Sequence, residues 1–258
     1  MVDFRQPDSL LRLVRDVRPA IIVNAAADTA VDRAQTEPEP AFAVNATAVG
    51  VLAEAAKESG ALLVHYSTDY VFPGTACRPY SEEDAIGPVN VYGQSKWAGE
   101  EVIRAYGAPH LILRTSWVYG PLGHNFLLTM LRLAQSQKEI RVVCDQIGAP
   151  TLSRDLAAIT AQILLRFEKR PELTGTYHVT AAGETSWYGF AERIVARVAG
   201  RPGFLCKNIT PIPTSAYPLP APRPAYSVLS CAKLKRVFGL ELPAWEKSLD
   251  TCLTDMGY

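Results

Sequence analysis

A mixed α/β fold built on a doubly wound parallel sheet is what the sequence predicts, and three observations carry that prediction. Short apolar runs of strand length alternate with longer helical patterns through the first half of the 258 residues. The runs are continuous rather than alternating, which suits strands buried on both faces. A composition of 48% hydrophobic and 20% charged residues is that of an ordinary globular chain with a sizeable core.

From the N-terminus, Pro7 to Val17 reads as a helix. Ile21-Ile22-Val23 then runs into Asn24-Ala25-Ala26-Ala27, the first buried strand. Good helix formers fill Ala41 to Lys57, and Gly60 suits the left-handed cap that ends them. Ala61 to Tyr66 is the next strand. A helix over Tyr92 to Tyr106, a strand at Leu111 to Thr115, a helix at Asn125 to Ala134 and a strand at Arg141 to Cys144 continue the alternation. Ser153 is placed to cap a helix running to Phe167, and Ser186 begins another that ends at Gly200. Between Pro202 and Pro224, prolines are interleaved with polar and aromatic residues. Because helices are expected to follow it, near Cys231 to Phe238 and Trp245 to Asp255, this stretch is expected to be a rigid loop over a site.

Several function classes are disfavoured at once. Lys plus Arg and Asp plus Glu both number 26, so there is no basic field to hold nucleic acid or anionic lipid. No apolar run approaches a membrane span and no charged-then-apolar leader opens the chain, so the expected location is cytoplasmic. The five cysteines contain no C-x-x-C pair, and the four histidines no i,i+4 pair, so neither a disulfide framework nor a catalytic metal is expected.

The sharpest chemical signal is Tyr92-Gly93-Gln94-Ser95-Lys96. A tyrosine and a lysine four apart share a helix face, so the ammonium can sit near the phenol, favour its ionised form and bind a nearby ribose hydroxyl. The same spacing also occurs by chance in many helices. The second signal is Tyr66-Ser67-Thr68-Asp69-Tyr70-Val71-Phe72, directly after an apolar strand. Polar residues at the carboxyl end of a buried parallel strand are where open α/β sheets place ligands, although Ser, Thr and Asp there also simply satisfy a turn. Thr68 could donate a hydrogen bond to a substrate carbonyl while Tyr92 delivers the proton. Trp187, on a helix, reads as a core residue rather than a ligand contact. Arg223, among its prolines, fits either a bidentate contact to a diphosphate or an exposed loop position.

Taken together, Thr68, Tyr92 and Lys96 on successive strand and helix resemble the constellation of the extended short-chain dehydrogenase/reductases, and among them the dTDP-4-dehydrorhamnose reductases. The strings that carry the resemblance are Arg18-Pro19-Ala20-Ile21-Ile22-Val23-Asn24-Ala25-Ala26-Ala27, Tyr66 to Phe72, Asn90-Val91-Tyr92-Gly93 with Ser95-Lys96, Arg114 to Tyr119, Asp145 to Thr151, and Arg223-Pro224 with Leu229. The resemblance implies a Rossmann-like fold, with residues 1–145 as the cofactor-binding part and 146–258 as a smaller, interleaved substrate-binding part. It implies reduction of the C4 ketone of a dTDP-4-dehydro-sugar by NADPH or NADH, and a homodimer. Tyr92 would be the proton donor, Lys96 its tuner and ribose ligand, and Thr68 the carbonyl anchor. Asp69, Trp117 and Arg223 would meet substrate. Asp3 and Phe4 would meet the adenine, and Ala27, Asp28 and Thr29 would form the turn beside the cofactor, Asp28 departing from the larger side chains usual there. Related dehydratases carry glutamate after the Thr-Asp pair; here that position is Tyr70, which favours reduction over dehydration.

A nucleotide-binding sheet of this kind opens with a strand, a glycine-rich turn and a helix, yet no G-x-G-x-x-G occurs in this sequence. The expectation is that Met1 is an internal methionine and that this unit lies upstream. The alternative is a cofactor-deficient, non-catalytic or regulatory homologue that keeps the fold. Losing about three charge-assisted hydrogen bonds to a pyrophosphate, at roughly 1.5–3 kcal/mol each, would weaken cofactor binding severely.

Overall fold

The structure, a computed structural model, describes residues 3–167 and 170–258. Its elements run α1 (Pro7–Val17), β1 (Ile21–Asn24), α2 (Val31–Thr36), α3 (Pro38–Phe42), α4 (Ala48–Ser59), β2 (Leu62–Thr68), α5 (Val91–Tyr106), β3 (His110–Thr115), β4 (Val118–Tyr119), α6 (Phe126–Ser136), β5 (Glu139–Val143), β6 (Ile147–Gly148) and β7 (Thr151–Leu152). They continue with α7 (Ser153–Phe167), β8 (Gly175–His178), β9 (Thr185–Ser186), α8 (Trp187–Val198), β10 (Asn208–Ile212), α9 (Ala232–Phe238) and α10 (Trp245–Asp255).

The central sheet has the order β1-β2-β3-β8 and is parallel throughout. Strands β2 and β3 are apolar on both faces because both faces are covered, whereas β1, read from the sequence as buried on both sides, leaves Ile21 and Val23 exposed on one face. Leu63 and Ile112 pack with Val49, Leu52 and Ile103 of α4 and α5 on one side, while Val64, Leu111 and Leu113 pack with Ile159 and Ile163 of α7 and Leu234 of α9 on the other. This is the doubly wound arrangement expected from the continuous apolar runs. A third cluster joins α6, α8 and α10 around Phe190, Ile194 and Leu249. The chain is interleaved, since β8 returns from the second half to the edge of the central sheet.

Three local expectations are corrected. The helix anticipated from Ala41 to Lys57 is divided: α3 ends at Phe42, a wide π-type turn spans Ala43–Thr47, and α4 begins at Ala48. The wide turn carries Asn45, fully buried, whose amide bonds both backbone groups of Asp28 and the Ser95 hydroxyl. Such turns interrupt helices where a side chain must be aimed. Strand β8 gave no signal, being only Gly-Thr-Tyr-His. The proline-rich stretch is not all loop, for β10 pairs in parallel with β5. Pro211 is tolerated there because β10 has β5 on one side only, so a missing N–H can face away from the ladder.

Candidate active site

Strand β2 ends at Thr68, and the chain turns at once through Asp69–Val71. The Thr68 hydroxyl accepts from the Tyr70 N–H at 3.2 Å and donates to Asp69 Oδ1 at 3.1 Å. The N-terminus of α5 arrives against this turn. Asn90 caps it by accepting from the Gly93 N–H at 2.8 Å. Gly93 is required for the approach, because a Cβ there would lie 2.3 Å from the Tyr70 carbonyl oxygen. Tyr92 is thereby set beside Tyr70, ring centroids 5.9 Å apart and edge to face.

Burial pushes the Tyr92 phenol up to about 12; the Thr68 hydroxyl acts in the opposite direction, and the nearby Asp69 and Asp28 raise it further. At neutral pH the phenol therefore holds its proton. The Asp69 carboxyl, 2% exposed, is pushed up to about 7 by burial, against hydrogen bonds from Ser227 and Thr68. Its Oδ2 has no partner. Lys96 is 1% exposed and donates to the Tyr66 carbonyl at 2.7 Å, with His65 Nε2 at 3.2 Å. Lys96 is hydrogen-bonded to the β2 backbone and to His65 rather than to the phenol. Burial is the reason, since the ammonium takes the backbone acceptor within reach.

Thr68, Asp69, Tyr70 and Tyr92 open onto a cavity of about 650 Å³, within the usual range for cofactor and small-ligand sites. Its far wall is a pair of stacked indoles, Trp117 on Trp187, centroids 3.5 Å apart and 6° from parallel. Trp117 holds a left-handed backbone, φ 46°, a conformation that costs a β-carbon residue of order 1–3 kcal/mol. Gly148 makes room for its ring, because a Cβ there would lie 2.5 Å from it. Trp187 packs against the cluster of α6, α8 and α10, as read from the sequence, and lines the cavity as well, with Phe126 tilted against its ring.

The RmlD substrate binding domain family matches residues 1–258. A dTDP-4-dehydrorhamnose reductase of Burkholderia thailandensis is 50% identical over 261 residues, covering 98% of this chain and 88% of the relative. That of Escherichia coli K12 is 48% identical over 256 residues, 98% and 85% of the two chains. The chain belongs to the dTDP-4-dehydrorhamnose reductase family. The crystal structure of the reductase from Bacillus anthracis in complex with NADP superposes with a TM-score of 0.90 at 36% identity, covering 98% of this chain and 87% of that one.

Within this reductase fold the remaining sequence-predicted residues are distributed unevenly. Thr29 lines the cavity. Asp28 sits just behind it, its carboxylate paired with Arg33 at 2.6 Å and its backbone held by Asn45. Ala27 is exposed and outside the cavity wall. Asp3 is ion-paired to Arg5 at 2.9 Å, and Phe4 packs against the cluster of α1 and α4, so neither joins the cavity. Arg223 does line the cavity, but its fork is engaged with Asp32 at 2.7 and 2.8 Å. That pair, with Asn90 donating to the Pro222 carbonyl at 2.8 Å, ties the proline-rich loop across the mouth between α2 and α5. The loop expectation holds for this segment. Sequence reasoning missed Arg141, Gln146 and Tyr217, which also line the cavity. Gln146 stood inside a string already singled out, Asp145 to Thr151, without a physical role.

Proposed function

We propose that this chain reduces the C4 ketone of dTDP-4-dehydro-L-rhamnose to dTDP-L-rhamnose with NADPH or NADH. The observation that carries the reading is the convergence of the Thr68 hydroxyl and the protonated Tyr92 phenol at the carboxyl end of β2, on the wall of one large cavity. Two findings support the substrate and cofactor: relatives about half identical are named for this reductase, and a solved one holds NADP. The residues present fit the nicotinamide end of such a cofactor. Thr29, Val31 and Tyr92 line the cavity together, and Lys96 lies one helical turn below Tyr92. No G-x-G-x-x-G turn is among them to hold the pyrophosphate.

When bound, the cofactor supplies the hydride for the ketone carbon. The chain supplies the rest. Tyr92 donates its phenol proton to the ketone oxygen, and its raised proton affinity keeps it loaded until charge builds on that oxygen. Thr68 turns its hydroxyl from Asp69 to the same oxygen and stabilises that charge. Tyr70, a phenol held above the usual tyrosine range, stands where a dehydratase has its glutamate, so that position supplies no carboxylate to expel water. The Trp117–Trp187 pair offers a flat apolar wall for a sugar or base face. Arg141 presents a guanidinium on the cavity wall to a diphosphate, and Arg223 adds a second where it releases Asp32.

Residues 1–145 would hold the cofactor and catalytic groups, and 146–258 would shape most of the substrate side. A cytoplasmic homodimer completes the proposal. No described helix is long and apolar enough to cross a membrane. The test is incubation with the dTDP-keto-sugar and NADPH or NADH in parallel, following loss of the reduced nicotinamide and appearance of the C4 alcohol. Binding of the nucleotide sugar without any oxidation of either cofactor would overturn the reading in favour of a non-catalytic binding protein.

A further inference from the structure

His65 and Asn24 have no part in the chemistry above, yet both are buried, 0% and 3% exposed, and stand in register on β2 and β1. The imidazole is held between two groups. Its Nδ1 lies 3.0 Å from Asn24 Nδ2, and its Nε2 lies 3.2 Å from Lys96 Nζ. An amide nitrogen and an ammonium can only donate, while a neutral imidazole has one accepting nitrogen and one N–H. It cannot accept from both. A charged imidazole would accept from neither, and burial with Lys96 alongside holds His65 well below the usual histidine range, so the ring is neutral.

Two arrangements give each ring nitrogen a compatible partner, and they differ in the charge of Lys96 and in whether the Ala26 N–H keeps its acceptor on Asn24. In the first, Asn24 Oδ1 accepts from the Ala26 N–H at 3.1 Å, Asn24 Nδ2 donates to His65 Nδ1, and the ring N–H at Nε2 donates to an uncharged Lys96. In the second, an ammonium at Lys96 donates to Nε2, the ring proton sits on Nδ1, and the Asn24 amide turns its oxygen to the ring, giving up the Ala26 N–H. In both, Lys96 keeps its bond to the Tyr66 carbonyl.

We propose that Asn24 and His65 are positioning residues for Lys96 and that the three form a buried proton switch. When Lys96 releases a proton to solvent, the ring proton of His65 passes from Nδ1 to Nε2 and the Asn24 amide turns to donate to Nδ1. The imidazole is neutral before and after, and the net change is one proton lost from Nζ. Burial lowers Lys96 to about 8, so the switch operates near neutral pH. The titratable groups facing Lys96 are His65 from β2 and, on its own helix, Glu100, which favours the ammonium and is itself paired with Arg114 of β3 and with Arg104. Resting on the functional reading above, the switch gives the protein a buried proton source one helical turn from the phenol that loses its proton in each reduction.

The experiment is a set of two-bond ¹H–¹⁵N imidazole spectra of the cofactor-free chain, recorded on both sides of the Lys96 transition. The His65 signals are identified by their absence in His65→Gln. The expected result is an Nδ1–H ring on the acid side and an Nε2–H ring on the alkaline side, with a midpoint near 8. In Lys96→Met the ring is Nε2–H throughout, because only the Asn24 contact remains to choose the tautomer. A single tautomer across the range in the unaltered chain, or a change that persists in Lys96→Met, overturns the switch. The spectra need no turnover, so the tautomer change without ketone reduction would count against the functional reading alone, and reduction without the change against the switch alone.

Discussion

Replacing Glu100 by glutamine tests the charge network that underlies the site. Glu100 is fully buried on α5, and it receives Arg114 Nε at 2.9 Å, an Arg114 terminal nitrogen at 2.7 Å, the Ser67 hydroxyl at 2.6 Å and Arg104 at 2.6 Å. Arg104 is one-third exposed and can turn to water. Arg114 is 2% exposed and cannot. A neutral amide in place of the carboxylate therefore leaves a guanidinium buried without a counter-charge, which costs about 3–5 kcal/mol. For a chain of this size that is a fall in Tm of roughly 6–20 °C. The carboxyl is held below its usual range by Arg114 and Ser67 despite burial, so its contribution is present above the unfolded carboxylate range and is lost as the pH falls through the lower folded value. Urea and thermal unfolding at neutral pH, with the double variant Glu100→Leu, Arg114→Met as control, give the measurement. The double variant should recover much of the loss, because it removes both charges. A loss under about 1 kcal/mol for Glu100→Gln, or a double variant less stable than the single one, would refute the account.

Tyr92→Phe should lower turnover by roughly 10²–10⁴ while leaving cofactor affinity nearly unchanged; steady-state kinetics near wild-type values would remove Tyr92 from its role. Asp69 is raised by burial, so it depresses stability progressively as the pH climbs from its unfolded range to about 7 and fully above that. Asp69→Asn should accordingly gain on the unaltered chain by on the order of 2–4 kcal/mol more at alkaline than at acid pH, and equal urea midpoint differences at both would contradict it. Trp187→Ala removes one half of the indole pair and should raise KM for the nucleotide sugar about tenfold or more with a smaller change in kcat; an unchanged KM would show that substrate does not use this wall.

Much of the sheet was legible in the sequence because strands buried on both faces must be apolar without interruption, and Leu62 to Val64 and Leu111 to Leu113 say so directly. Helix limits were legible where capping chemistry is local: Ser186 and Gly60 act on their immediate neighbours, whereas Ser153, read as a cap, is the first residue of α7 itself. Thr68, Tyr92 and Lys96 could be singled out for the same reason, as a strand end and an i,i+4 pair. Tertiary structure decided what depends on a partner distant in the chain. The direction of Lys96 was set by the Tyr66 carbonyl and by His65, on another strand, and not by its spacing from Tyr92. Trp187 became a cavity wall because Trp117, 70 positions earlier, lies flat against it over a glycine. Arg223 found Asp32 across 191 positions. Hydrophobic periodicity and capping are properties of neighbouring residues, whereas the charge state, aim and exposure of a side chain belong to whatever the fold packs against it.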